Sequence, residues 1–160
     1  MDLLKIACLL RTADVCHVDA SRAPAFLMSI RGPRGDSEDH WTFQGKLLQP
    51  SRADDRILYS AGSSFTVEQA SAWWLCHETL NGIDSELRAA DATLADTGRQ
   101  RFAARSVAYI NDLEALRRYI PTAGWIPVDT RLHVTDLPGL FVNLAGASFT
   151  VTVSPCQSES

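Results

Sequence analysis

The sequence predicts an α+β protein: mainly helical, with one long central helix, a β-hairpin and a small C-terminal element of strand and helix. Three patterns carry this. From Leu3 the apolar residues Leu3, Ile6, Ala7, Leu10 and Ala13 recur at helical spacing. From Thr66 to Gly98 a much longer stripe (Ala70, Trp73, Trp74, His77, Leu80, Ile83, Leu87, Ala90, Leu94) alternates steps of three and four. Between them, residues 45–61 change to period two.

The first helix should span residues 3–17, with Asp2 as its cap. Its stripe continues into Asp14, and His17 follows one turn later. A carboxylate on a buried helix face is costly unless paired, protonated or bound to a metal, so either Asp14 has such a partner or the last turn reaches water. Residues 19–24 break this helix and lead into a second one around Phe26, Leu27 and Ile30, which Gly32-Pro33 ends. Residues 40–43 form a helical turn or the lead into a strand. Leu47-Leu48-Gln49 and Ile57-Leu58-Tyr59 then read as hairpin strands flanking the polar run 50–56, with Pro50 assigning the first to a sheet edge.

Thr66 with Gln69 three residues on forms a capping box for the long helix, and Phe65 is placed to staple onto its first turn. Gly82 falls inside this helix and Gly98 at its end. Beyond it come a strand at 106–110, a helix at 112–119 capped by Asn111, a strand at 125–134, and a helix opening at Asp136 and closing at Gly146. The tail is polar and frayed.

Composition narrows the function classes. At 160 residues, 46% hydrophobic and 21% charged, the chain is an ordinary globular protein with one core. Its net charge of −4 gives no reason to expect nucleic-acid binding. The short basic groups, Arg31 with Arg34 and Arg99, Arg101 and Arg105, read as solvated loop charge. No stretch approaches the roughly 20 apolar residues of a membrane span, and Arg11 and Asp14 interrupt the N-terminal apolar run, so it is no signal peptide. Cys8, Cys16, Cys76 and Cys156 lack zinc spacing and suit reduced thiols in a cytoplasmic protein.

Few residue patterns carry chemistry. No nucleophile elbow and no phosphate-cradling loop occur, and 32–35 lacks the spacing and lysine of a P-loop. His77, on an apolar stripe beside Trp73 and Trp74, reads as a hydrogen-bonded core histidine, and both tryptophans as core. Asp14 with His17 is the one constellation that suggests a metal, and it supplies two ligands at most; His40 and His77 have no spacing that brings them to Asp14.

Several segments nevertheless resemble one family. Residues 9–24, LLRTADVCHVDASRAP, resemble the closing helix of an HD-superfamily metal phosphohydrolase domain, whose last motif residue is an aspartate in such a context. Asp39-His-Trp41-Thr-Phe43-Gln, Ala72-Trp73-Trp74-Leu-Cys76 and Arg101-Phe-Ala-Ala-Arg105 resemble the body of bacterial HD-CE type domains. Residues 122–146, TAGWIPVDTRLHVTDLPGLFVNLAG, resemble the connector joining such a domain to a chaperone-type ATPase of the gyrase, heat-shock chaperone and histidine-kinase superfamily.

The resemblance implies that residues 1–148 are the C-terminal part of an HD-CE type domain with its connector, and that 149–160 are a divergent, disordered tail. Of the family's His…His-Asp…Asp series only Asp14 is matched, so Asp14 is expected to be a vestigial metal ligand. The chain alone would have no catalytic residue and no cofactor, a divalent metal belonging to the parent domain. The expected function is non-catalytic: coupling in a bacterial defence or stress system, with an upstream HD segment and a downstream ATPase, or an equivalent protein, as partners. The alternatives are a metal-dependent phosphohydrolase acting on nucleotides and a stand-alone protein-interaction module. If upstream helices are missing, the stripe of Leu3, Ile6, Leu10 and Asp14 should lie open to water.

Overall fold

A computed structural model describes residues 2–21 and 36–129 of the chain. Two compact units are distinguished, Met1–Val128 and Asp129–Ser160; the first is the subject here. Its elements are α1 (Leu3–Cys16), α2 (Asp36–Lys46), β1 (Ser51–Ala53), β2 (Arg56–Leu58), a 3₁₀ turn (Val67–Gln69) running into α3 (Ala70–Asp96), β3 (Ser106–Val107) and α4 (Leu113–Tyr119). The fold is α+β, as predicted. The expected helix at 24–30, the basic pair Arg31 and Arg34, strand residues 130–134, the helix at 136–146, Cys156 and the tail lie outside the described residues.

Everything packs on α3. Its inward stripe of Ala72, Trp73, Cys76, Leu80, Ile83 and Leu87 is buried against Phe43 and Leu47 from α2 and its exit, Tyr59 and Phe65, Val107 and Ile110, and Leu116 and Ile120. Phe65 opens this element. Its backbone N–H donates to Pro121 O at 2.9 Å, and its carbonyl accepts from Ala123 N–H and from the Trp125 indole. It therefore pins the segment after α4 as well as stapling the helix start. Gln69 Oε1 accepts from Thr66 N–H at 3.3 Å, the expected half of the capping box.

The other end of α3 closes on Gly98. Its φ of 64° puts Gly98 N–H on Ala95 O (2.9 Å) and Arg99 N–H on Leu94 O (2.8 Å), a Schellman pattern that satisfies carbonyls the helix would otherwise leave open. Mid-helix Gly82 has no such duty: a Cβ built on it meets nothing within 4 Å. Gly82→Ala is therefore expected to stabilise the protein by about 0.5–1 kcal/mol through reduced chain entropy. A denaturant melt checks this, and unchanged or lower stability refutes it.

The hairpin is tighter than the period-two pattern implied. β1 and β2 pair antiparallel with Ser51 opposite Leu58 and Ala53 opposite Arg56, so two residues, Asp54 and Asp55, make the turn. Asp54 adopts φ 55°, a left-handed conformation that aspartate tolerates better than most residues. The polar run assigned to a loop thus carries the first strand, while Leu47 makes only an isolated bridge to Ala61. β1 is an edge strand, as Pro50 implied, in the order β1-β2-β3, and β3 runs parallel to β2.

Of the two readings of residues 40–43 the helical one holds, within the eleven-residue α2, and other expectations are corrected. The strand at 106–110 stops at Val107, because Tyr109 turns the chain at φ 61°. Asp112, not Asn111, caps α4, its Oδ1 accepting from Ala115 N–H at 3.0 Å. Residues 125–129 of the expected next strand carry no regular structure. No helix among the described residues is long and apolar enough to cross a membrane.

Candidate functional site

The sequence points to α1 as the place where Asp14, His17 and an apolar stripe meet. Asp2 caps the helix, its Oδ1 accepting from Lys5 N–H at 3.1 Å. Tyr59 closes the other end, its hydroxyl donating to Cys16 O at 2.9 Å; burial, and then the neighbouring Cys16 thiol, raise the phenol's pKa.

The stripe of Leu3, Ile6, Leu10 and Asp14 lies open to water, as expected, and the opposite side of the helix packs. Thr12 is buried, its hydroxyl donating to Cys8 O at 2.9 Å, and Val15 and Cys16 pack against the core. The apolar stripe faces out instead: Leu3 is 69% exposed, Ile6 37%, Leu9 53% and Leu10 67%. Charged side chains hold this orientation. Arg11 grips both oxygens of Glu86 on α3, at 2.8 and 2.6 Å, and Arg99 Nε reaches Asp2 at 2.9 Å. Lys5 Nζ donates to Gln100 Oε1 at 3.1 Å.

These pairs give α1 a pH dependence. The Lys5 amide, aided by the Arg99 charge, holds the Asp2 carboxyl below its ordinary pKa, and Arg11 does the same for Glu86. Groups depressed in the folded state contribute stability above their unfolded pKa and lose it as pH falls through the folded one. The attachment of α1 should thus be complete above about pH 4.5 and weaken below it. Hydrogen-exchange protection measured in acid should fall in α1 before α3; simultaneous loss would refute the prediction.

Asp14 is exposed on the outward side, so the cost of burying a carboxylate does not arise. His17 is the C-cap residue (φ −85°, ψ 78°), already outside the helix. Its Nε2 lies 3.0 Å from Ser21 Oγ and 3.7 Å from Asp19 Oδ1. Ser21 Oγ donates to Asp19 at 2.6 Å. This Ser–His–Asp grouping was not anticipated, and its wiring is wrong for nucleophilic catalysis: the serine proton goes to the carboxylate rather than the imidazole. Among the described residues no three His, Cys, Asp or Glu side chains converge to hold a metal ion, so these donors do not form a divalent metal centre by themselves.

The other candidates are taken up by packing within the chain or, for His40, lie exposed. Trp73 is buried and its indole donates to Ile120 O at 3.1 Å. His77 stacks on Trp73 with centroids 5.8 Å apart, and its Nε2 lies 3.3 Å from Ile110 O. Trp74, partly buried, meets both rings edge-on. His40 packs beside Phe43 on α2. Cys8, Cys16 and Cys76 are free thiols, and burial pushes that of Cys76 up to about 12. Arg99, Arg101 and Arg105 face Asp2, Asp91 and Asp55, so this basic cluster is taken up by internal pairs.

Comparison with known proteins finds no match among curated proteins or solved structures. One family model does match: HD-CE, over residues 1–89, more than half of the 160. The matched span takes in α1 with Asp14, α2, the hairpin and α3 through Ala89. The connector-like residues 122–146 fall outside it. From the outward-turned first helix to most of the helix that anchors it, this chain belongs to the HD-CE family.

Proposed function

We propose that the chain is a non-catalytic coupling module of the HD-CE type, which receives a neighbouring protein segment on the outer face of α1 and relays its state to a chaperone-type ATPase. The observation that carries this reading is the orientation of α1. Arg11 is spent on Glu86 of α3 and the Asp2 cap on Arg99 just beyond it, while Leu3, Ile6, Leu9 and Leu10 are presented to the outside. Contiguous exposed apolar residues of this kind mark interaction surfaces. Asp14 belongs to the same outer side, consistent with a family metal position whose companions come from elsewhere. The resemblance of residues 122–146 to an ATPase connector supplies the other half of the reading, along with its setting in a bacterial defence or stress system.

The test adds the full chain in trans to a chaperone-type ATPase taken from an HD-CE fusion protein and measures ATP turnover. A change of about twofold or more, lost in Leu10→Asp, is expected; that side chain is 67% exposed, so the variant should fold. An unchanged rate, or equal effects of parent and variant, would overturn the proposal.

One observation favours a second reading, the exposed position of Asp14 on that face. A docked neighbour carrying the remaining ligands would complete a metal-dependent phosphohydrolase acting on nucleotides. Manganese-dependent nucleotide turnover by the chain, abolished in Asp14→Ala, would favour this reading over the coupling one.

A further inference from the structure

Away from α1, none of whose residues line it, a cleft of about 510 Å³ opens between α3, the start of β2, and β3 with the turn that follows it. That volume suits a small molecule, but unlike most such pockets its walls are mainly polar. Two arginines reach into it from different elements, Arg56 from β2 and Arg88 from α3. Asp84, buried, takes Val107 N–H at 2.7 Å and Arg88 Nε at 2.6 Å. The root of the Arg88 guanidinium is thereby anchored, and its two Nη groups have no acceptor among the described residues. Arg56 makes no side-chain hydrogen bond among those residues either: its nearest carboxylate, Asp55, stands 3.9 Å from Nε. Both side chains are more than half exposed.

The third wall is the turn at Tyr109 and Asn111. Tyr109 is held at φ 61°, a conformation that disfavours a tyrosine by roughly 1–2 kcal/mol and recurs at ligand sites. One face of its ring stacks on Tyr119 at 5.1 Å. The carboxylates in the lining are engaged: Asp112 caps α4, and Asp55 lies 3.9 Å from both Arg56 and Arg105.

We propose that this cleft binds a phosphate group, set between the guanidinium groups of Arg56 and Arg88 with the Asn111 amide beside it. Two planar forks with open Nη groups match the oxygens of a phosphate, which carries between one and two negative charges at neutral pH. The confined cleft and the chain's net charge of −4 disfavour a polyanion. The shared chemistry covers free phosphate and a phosphate monoester. A monoester with an aromatic substituent would also gain the open face of Tyr109.

The test is a calorimetric titration of the full chain with inorganic phosphate and with AMP, at constant ionic strength. Saturable binding is expected, weakened by about tenfold or more in both Arg56→Gln and Arg88→Gln, as loss of a charge-assisted hydrogen bond implies. Arg88→Gln also disturbs Asp84, so Arg56→Gln, which breaks no internal hydrogen bond, is the deciding variant, with circular dichroism confirming its fold. No saturation by about 10 mM, or unchanged affinity in Arg56→Gln, would overturn the proposal. The AMP arm separates the sources. Tighter binding of AMP that is lost in Tyr109→Asn, a residue that tolerates left-handed φ, supports a monoester; equal affinities support free phosphate.

Discussion

Truncating Trp73 to alanine is expected to cost about 3–5 kcal/mol, a large part of the stability of a domain this size. Trp73 is 1% exposed, stacks on His77, meets Trp74 and Trp125 edge-on and donates its indole N–H to Ile120 O. Its removal leaves a cavity beside the first turn of α3 and a carbonyl without its donor. Trp74→Ala should cost clearly less, because Trp74 is only partly buried. The two variants should therefore melt at different temperatures, each kcal/mol corresponding to roughly 2–4 °C. If both melted within about a degree of the parent, the core would have been misassigned.

Asp84→Ala should be the next most damaging change, at about 2–4 kcal/mol. Asp84 stands on α3 but serves β3, capping the Val107 N–H that faces away from β2. Without it a buried amide has no acceptor and a sheet edge is uncovered. Its pair with Arg88 adds less, since the arginine side chain is 59% exposed. Asp84→Asn keeps an acceptor for the amide and should lose about half as much; equal losses in the two variants would show that the charge, not the hydrogen bond, is what matters.

Much of this fold is legible in the sequence where apolar spacing and local chain chemistry agree. The long helix is the clearest case: Thr66 and Gln69 start it, Gly98 stops it, and the stripe from Ala72 to Leu94 is buried between them. The hairpin was legible in kind but not in register, because Ser51 and Arg52 are polar and their strand is an edge with no face to bury. In α1 periodicity located the stripe that lies open to water, as expected, but not the side that packs. Two stripes share that helix, a strongly apolar one through Leu3, Ile6 and Leu10 and a weaker one through Leu4, Cys8, Thr12 and Val15. Packing uses the weaker, because from that side Arg11 finds Glu86 on α3 and Asp2 finds Arg99 just past its end. The arginine cleft left no local signal, since Arg56, Arg88 and Asn111 belong to three elements that only the tertiary fold brings together.

The Schellman end of α3 has a consequence for the order of events during synthesis. Arg99, the residue whose amide closes that motif, also pairs through its side chain with Asp2, the cap of α1. The start of one helix and the end of another are thus joined across 97 residues. At about 5–20 residues per second, α1 leaves the ribosome roughly 5–20 seconds before its docking site is finished. Throughout that interval its leucines have no ionic clamps to fix which side they present. The nascent helix is then free to be engaged by whichever partner arrives first, and a partner captured co-translationally would already be in place when Arg99 is added.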